Sequence, residues 1–81
     1  MQLFYTARFE RSFAEAPADV QSQAQKALAF LLRDVRHPSL RAKKYDGARG
    51  IWQGRVNRSW RFYFLIEADR YYLIDMMPHP K

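Results

Sequence analysis

Two consecutive segments in which apolar and polar residues alternate restrict the fold more than any other feature of the sequence. Trp52 and Val56 alternate with polar residues in the first segment, and Trp60 and Phe62 do so in the second. This period of two is that of a β-strand. The two apolar sets share a face only if Val56 opposes Trp60, because a register shift of one residue would move one set to the other face of the sheet. The sequence therefore predicts a hairpin with residues 57–59 as its loop.

That register places Arg55 directly opposite Arg61. Directly opposed like charges destabilise a strand pair, so the two arginines indicate a site that holds an anion. The same reasoning on the next hairpin, with residues 67–69 as its loop, pairs Arg61 with Asp75. The face opposite the apolar side chains then carries Gln53, Arg55, Arg61, Tyr63 and Asp75, with His79 just beyond the strand end.

Two helices are predicted after a short strand over residues 1–5. Thr6 can cap the first helix, in which Phe9 and Phe13 share one face. Pro17 is tolerated in the first turn of the second helix. The apolar residues of this second helix follow the helical spacing and are Val20, Ala24, Ala27, Leu28, Leu31, Leu32 and Val35.

The remainder of the chain is predicted to be a loop and three strands. The second helix ends at His37-Pro38, and residues 39–49 form a basic loop with an Asp46-Gly47 turn signal. The strands follow at roughly 50–57, 60–66 and 70–77. The order β-α-α-β-β-β indicates an α+β fold, with the helices packed on one face of an antiparallel sheet.

The composition favours a polyanionic partner. The 81 residues predict one domain covering 1–81, the formal net charge is +6, and ten of the fourteen basic residues are arginine. The planar fork of arginine suits bidentate contact with phosphate. No segment approaches the roughly 20 apolar residues of a membrane span, and residues 1–13 do not resemble a signal peptide. A cytoplasmic protein without a membrane partner is therefore expected.

The sequence lacks the usual signatures of enzymes that use a cofactor. Its three glycines fit neither a phosphate-binding loop nor a dinucleotide fingerprint. The chain has no cysteine, and His37 and His79 lie too far apart for metal-ligand spacing. We therefore expect neither a metal nor a small-molecule cofactor.

Metal-free chemistry on RNA remains open, because RNA carries its own nucleophile in the 2′-hydroxyl. Such an enzyme needs cations for the developing phosphorane charge, a base for the nucleophile and an acid for the leaving oxygen. Arg55 and Arg61 can supply the first, and His79 can supply one of the others. Tyr63 or Tyr45 could hold a splayed base.

Each candidate also has a purely structural interpretation. Arg61 can pair with Asp75, Arg55 can solvate its face, and His79 can be an ordinary exposed residue. Tyr63 can pack against its neighbours. Four further aromatic residues are assigned to the core rather than to base stacking, namely Trp52, Trp60, Phe62 and Phe64.

An ordered series of short motifs runs over nearly the whole chain. It comprises Phe9 and Phe13, Pro17, His37-Pro38-Ser39-Leu40-Arg41, Lys43-Lys44-Tyr45 with Asp46-Gly47, Ile51-Trp52, Arg55-Val56-Asn57, Trp60-Arg61-Phe62 and Met77-Pro78-His79. This combination resembles the RelE/ParE superfamily of toxins from bacterial type II toxin–antitoxin systems.

The resemblance implies a small curved antiparallel sheet with two helices on one side. RelE-like members cleave mRNA in the ribosomal A site, leave a 2′,3′-cyclic phosphate, and are neutralised by an antitoxin that wraps the toxin. The position matching Arg61 contacts the scissile phosphate, that matching Arg55 is basic, and that matching His79 has an acid/base or charge-stabilising role. The expected residues for binding RNA or the ribosome are Arg41, Lys43, Lys44, Arg58 and Tyr63.

The chain departs from this pattern near its end and at the candidate base. It stops two residues after His79, whereas many relatives continue with a segment bearing a catalytic aromatic residue. A glutamate base of some relatives has no counterpart here, and Asp46 is the nearest candidate. The resemblance therefore leaves both weak and absent catalysis open.

Two other functions fit the same resemblance. A ParE-like toxin would bind DNA gyrase without cleaving nucleic acid, and Arg61→Ala would then have little effect. A catalytically idle relative would bind only antitoxin or RNA, and Arg61→Ala would then weaken binding in a salt-dependent way.

Overall fold

The computed structural model describes residues 1–79, and its first half contains both helices. A short strand is followed by two helices and a single 3₁₀ turn, with bounds β1 (Gln2–Tyr5), α1 (Ala7–Glu15), α2 (Ala18–Arg33) and the turn Pro38–Leu40. The second half is a run of four strands, β2 (Lys43–Asp46), β3 (Ile51–Arg55), β4 (Trp60–Glu67) and β5 (Arg70–Pro78).

The strands form one open, curved sheet in the order β1-β5-β4-β3-β2. The predicted α+β fold, with a strand, two helices and then the remaining strands, is confirmed. The sheet differs from the expectation in two details. β1 pairs parallel with β5, and the segment Lys43–Asp46, expected within a loop, pairs antiparallel with β3. Neither strand carries a period-two pattern, so nothing in the sequence indicated these pairings.

The caps of the two helices are local consequences of the sequence. The Thr6 hydroxyl accepts a hydrogen bond from the Phe9 amide at 3.2 Å, as predicted for an N-cap. α2 begins after Pro17 and ends at Arg33, four residues before the predicted end at His37. His37 instead begins the 3₁₀ turn, where its Nδ1 accepts from the Ser39 amide at 3.2 Å.

The core lies between the two helices and one face of the sheet. Phe62 and Phe64 are 1% and 0% exposed, so their predicted place in the core is confirmed. The Phe62 ring lies directly over Gly54, where an added Cβ would collide with the ring. A side chain at this position would displace a buried aromatic, which explains why glycine fits in the middle of β3.

The first predicted hairpin register is confirmed. Arg55 and Arg61 are Cα partners, and the Val56 amide donates to the Trp60 carbonyl at 3.0 Å, closing the loop of residues 57–59. The alternation of apolar residues on both strands therefore determined the pairing correctly.

The second predicted register was wrong. Glu67 pairs with Arg70, so the turn has two residues rather than three, and Ala68 within it has φ = +54°. A register shift between Tyr63 and Phe64 then moves the pairing again, so that Arg61 opposes Met77. The residue types at these positions indicate neither the positive φ of Ala68 nor the bulge after Tyr63.

Within residues 1–79, no helix is long and apolar enough to cross a membrane.

Candidate functional site

The loop of residues 57–59 is held in shape by the side chain of Asn57. Its Oδ1 accepts from the Ser59 amide at 2.7 Å and from the Trp60 amide at 2.8 Å. Its Nδ2 donates to Gln23 Oε1 on α2 at 2.6 Å. Asparagine commonly binds its own backbone two residues on, and here it also ties the hairpin to a helix. The loop is therefore fixed relative to α2.

Both arginines of the opposed pair donate to this loop. Arg55 Nε and Arg61 Nη1 donate to the same carbonyl, that of Asn57, at 3.2 and 2.6 Å. Arg61 Nη1 also reaches the Trp60 carbonyl at 2.9 Å. Two guanidinium groups thus converge on one neutral oxygen. We define Arg55, Arg61 and the Asn57 carbonyl as the arginine cluster.

The arginine cluster combines partial burial with neighbouring positive charges. Partial burial lowers the pKa of Arg61 most, and the positive charges of Arg55 and Arg41 lower it further, against an opposing effect of Tyr63. Guanidinium groups stay protonated in proteins, so Arg61 keeps its positive charge although it is partly desolvated and close to Arg55. An anion placed here would relieve that repulsion.

The predicted pairing of Arg61 with Asp75 does not occur. Asp75 opposes Tyr63, and its Oδ2 accepts from Arg8 Nε at 2.9 Å, while its Oδ1 accepts from Ser12 Oγ at 2.6 Å. Both partners lie on α1, which follows directly after β1. Within residues 1–79, no carboxylate forms an ion pair with Arg55 or Arg61.

His79 lies beside the same loop as the arginines. Its backbone N–H donates to the Ser59 carbonyl at 2.6 Å, next to the Pro78–Trp60 strand pair. The residue is exposed. The loop 57–59 therefore holds the three predicted catalytic residues, Arg55, Arg61 and His79, at one end of the sheet.

The other predicted residues are spread more widely. Arg41 follows the 3₁₀ turn and is close enough to affect the pKa of Arg61. Arg58 is exposed in the hairpin loop. Lys43 opposes Gln53, whereas Lys44 opposes Trp52 on the other face of the sheet, with its Nζ 6.0 Å from the Trp52 ring centroid. Lys43 and Lys44 therefore cannot meet the same surface.

Tyr63 lies under a second tyrosine. It is 7% exposed, and its hydroxyl accepts from Gln53 Nε2 at 3.3 Å. Tyr45 packs against it with ring centroids 4.9 Å apart and is itself 61% exposed. Of the two tyrosines considered for base stacking, Tyr45 is the one with an open ring.

Sequence reasoning missed the structural roles of Asn57, Arg8 and Ser12. The Asn57 signal was available, since asparagine at the start of a three-residue hairpin loop is a common turn residue. Arg8 and Ser12 gave no signal, because their partner Asp75 lies more than sixty residues away in the chain. Within residues 1–79, no three His, Asp or Glu side chains come together as metal ligands would.

Replacing Asn57 by alanine is expected to destabilise the hairpin by about 1–3 kcal/mol. The change leaves two backbone amides and Gln23 without their partner. Chemical denaturation measures the free energy of unfolding. Asn57→Asp is the comparison variant, since it keeps the acceptor for both amides, loses the donor to Gln23 and adds a negative charge near the two arginines. Equal stability of Asn57→Ala and the parent would contradict this role.

Solved structures of known toxins share this fold. The YoeB/ParE toxin from Agrobacterium tumefaciens superposes with a TM-score of 0.81 at 16% identity, covering 99% of this chain and 100% of that one. The YoeB dimer from Staphylococcus aureus gives 0.80 at 9% identity, covering 99% and 98%. The chain has the fold of the RelE/ParE toxins.

The RelE/ParE fold also occurs in a complex among these neighbours. The intact RelBE toxin–antitoxin complex from E. coli superposes with a TM-score of 0.75 at 16% identity, covering 98% of this chain and 96% of that one. No family model and no curated relative matches the sequence. The resemblance noted from the sequence is thus confirmed for the fold.

Proposed function

We propose that this chain is the toxin of a type II toxin–antitoxin system and that it cleaves mRNA on the ribosome. The observation that carries the proposal is the arginine cluster. Two guanidinium groups converge on one carbonyl, without a carboxylate partner in residues 1–79, beside His79. A phosphate oxygen is a stronger acceptor for arginine than that carbonyl, because the hydrogen bond is then charge-assisted on both sides.

In the proposed reaction, the 2′-hydroxyl of the RNA attacks the neighbouring phosphorus. Its proton leaves as the new oxygen–phosphorus bond forms, and the bond from phosphorus to the 5′-oxygen breaks. The products are a 2′,3′-cyclic phosphate and a free 5′-hydroxyl. Arg61 and Arg55 stabilise the additional negative charge on the phosphoryl oxygens, and His79 transfers one of the two protons.

The proposed partners follow from this reaction. The ribosome presents the mRNA, and a cognate antitoxin neutralises the toxin, as supported by the structural neighbours solved as toxin–antitoxin complexes. Exposed Arg58, and Arg41 near the cluster, extend the positive surface on which RNA would be held. Since ribosomes carry the substrate, the proposed site of action is the cytoplasm.

An mRNA with one 2′-deoxynucleotide tests the reaction. A defined message is translated in a reconstituted system with the protein, and cut sites are mapped. Placing 2′-deoxyribose at one mapped site should remove that cut and leave cuts at other codons in place. An undiminished cut at the deoxy position would show that the 2′-hydroxyl is not the nucleophile.

Replacing His79 by alanine is expected to flatten one limb of the pH dependence of kcat/KM. A side chain that transfers a proton gives the profile such a limb. His37→Asn is the matched control, because asparagine keeps the acceptor that caps the 3₁₀ turn while removing the other imidazole. If both limbs of the pH dependence of kcat/KM are unchanged in His79→Ala, His79 does not transfer a proton in the reaction.

A further inference from the structure

The sheet face that bears Arg61 continues into a groove under Tyr45. The groove has a volume of about 180 Å³ and is lined by Arg8, Tyr45, Arg49, Tyr63, Asp75 and Met77, among others. This is smaller than the roughly 300 Å³ at which pockets for drug-sized ligands begin. A single ring system fits such a volume. We call it the Tyr45 groove.

The floor of the Tyr45 groove is rigid. Tyr63 and Asp75 are strand partners, 7% and 6% exposed. The Tyr63 hydroxyl is bound by Gln53, and the Asp75 carboxylate accepts from Arg8, Ser12 and the Met76 amide. These contacts fix the side chains of the floor before any ligand binds, which limits the conformational entropy lost on binding.

The rim of the groove combines an exposed aromatic ring with two cations. Tyr45 is 61% exposed although it packs against Tyr63. The side chains of Arg8 and Arg49 are 72% and 79% exposed, and each also forms an ion pair with a carboxylate of the protein, at 2.9 and 3.7 Å. Proteins bind single-stranded nucleic acid with open aromatic rings, on which bases stack, together with cations for the backbone, and both kinds of side chain line this groove.

The groove is also at a suitable distance from the arginine cluster. Met77 lines the groove and is the strand partner of Arg61, and the next inward pair on the same face is Tyr63 with Asp75. Two residues along a strand span about 7 Å. A nucleotide adjacent to a phosphate at Arg61 could therefore place its base in the groove.

From these features we infer that the Tyr45 groove binds one nucleobase of single-stranded RNA, stacked on Tyr45, next to the phosphate held by Arg61. The inference rests on the proposed function and adds a base-binding subsite to it. Tyr45 binds and positions the RNA and takes no part in the bond-breaking steps.

The test is a binding measurement that needs no cleavage. The full chain is titrated with a 2′-O-methyl pentanucleotide, which cannot react, and with versions lacking one base at each position in turn. Tyr45→Ala should weaken binding by about 5- to 100-fold, and Tyr45→Phe should bind like the parent. One base-free position should weaken binding to the parent and have no further effect on Tyr45→Ala.

Control variants separate the effect of aromatic stacking from the effect of side-chain size, and thermal unfolding tests whether the variants are folded. Tyr45→Leu keeps an apolar side chain without an aromatic face and should bind like Tyr45→Ala. Tyr5→Ala removes another exposed tyrosine outside the groove and should bind like the parent. Thermal unfolding should show all three Tyr45 variants folded, since the side chain is mostly exposed.

The outcomes distinguish this inference from the proposed function. Two results would overturn the inference that the Tyr45 groove binds a base, even if ribosomal mRNA is cut. One is equal binding by Tyr45→Ala and the parent. The other is that removing a base weakens binding to Tyr45→Ala as much as it weakens binding to the parent. A binding loss confined to Tyr45 and one base would support the groove even if no mRNA is cut. Absence of base-dependent binding by the parent would also overturn it.

Discussion

Arg61→Ala is expected to cleave ribosome-bound mRNA about 100- to 1,000-fold more slowly than the parent, the effect of removing one donor from a transition-state charge. Arg61 donates to the Asn57 and Trp60 carbonyls and lies opposite Arg55. Within residues 1–79, neither arginine forms an ion pair with a carboxylate. The charge of Arg61 is thus available to a phosphate. Single-turnover cleavage rates on a defined message measure the loss.

Two variants separate the role of Arg61 from a general loss of positive charge. Arg58→Ala removes an exposed arginine of the same loop and should reduce binding more than the rate of the bound complex. Arg61→Lys keeps a charge but loses the fork, and it should recover only part of the rate. Cleavage by Arg61→Ala at the parental rate would exclude Arg61 from catalysis.

Phe64→Ala is expected to lower the free energy of unfolding by about 3–5 kcal/mol. Phe64 is fully buried, and its ring lies between those of Trp52, Phe62 and Tyr71, with centroids 5.5–6.2 Å away. At roughly 0.05–0.15 kcal/mol per residue, 81 residues provide about 4–12 kcal/mol. The variant should therefore lose about a quarter or more of the stability of the parent.

Ile66→Ala is the matched control for Phe64→Ala. Ile66 lies two residues further along β4 and is 40% exposed, so its replacement should cost less than about 1.5 kcal/mol, roughly half of a full core deletion. Urea denaturation of both variants measures the difference. Equal losses would show that the aromatic ring of Phe64 is not packed as described.

The first hairpin could be predicted because each of its strands buries one face. Alternation on both strands allows a single register, and that register alone is enough to bring Arg55 opposite Arg61. His79 lies beside the loop because β5 runs back along β4 and ends at Pro78, although the register predicted for these two strands was wrong. The core of the candidate site is thus a consequence of a local pattern.

The second hairpin and the partner of Asp75 depended on distant parts of the chain. The bulge after Tyr63 changes the register without a sequence signal, and Arg8 reaches Asp75 only because β1 pairs parallel with β5 and carries α1 past that edge. A four-residue strand does not specify its partner. Sequence reasoning therefore assigned Asp75 to the wrong arginine.

The strand β2, which carries Tyr45, also could not be predicted from the sequence. The segment Lys43-Lys44-Tyr45-Asp46 is typical of a basic loop, since lysine and aspartate have low strand propensity. Pairing with β3 overrides this, and it places Lys43 and Lys44 on opposite faces while setting Tyr45 against Tyr63. The contacts that make Tyr45 an open platform are tertiary.

The most direct test of the account is primer extension on a defined mRNA in a reconstituted translation reaction. The protein is added with and without ribosomes, and Arg61→Ala is run in parallel. Cuts within A-site codons are expected, and they should require ribosomes and be lost in Arg61→Ala. Intact message with unimpaired translation at protein concentrations equal to those of the ribosomes would contradict it.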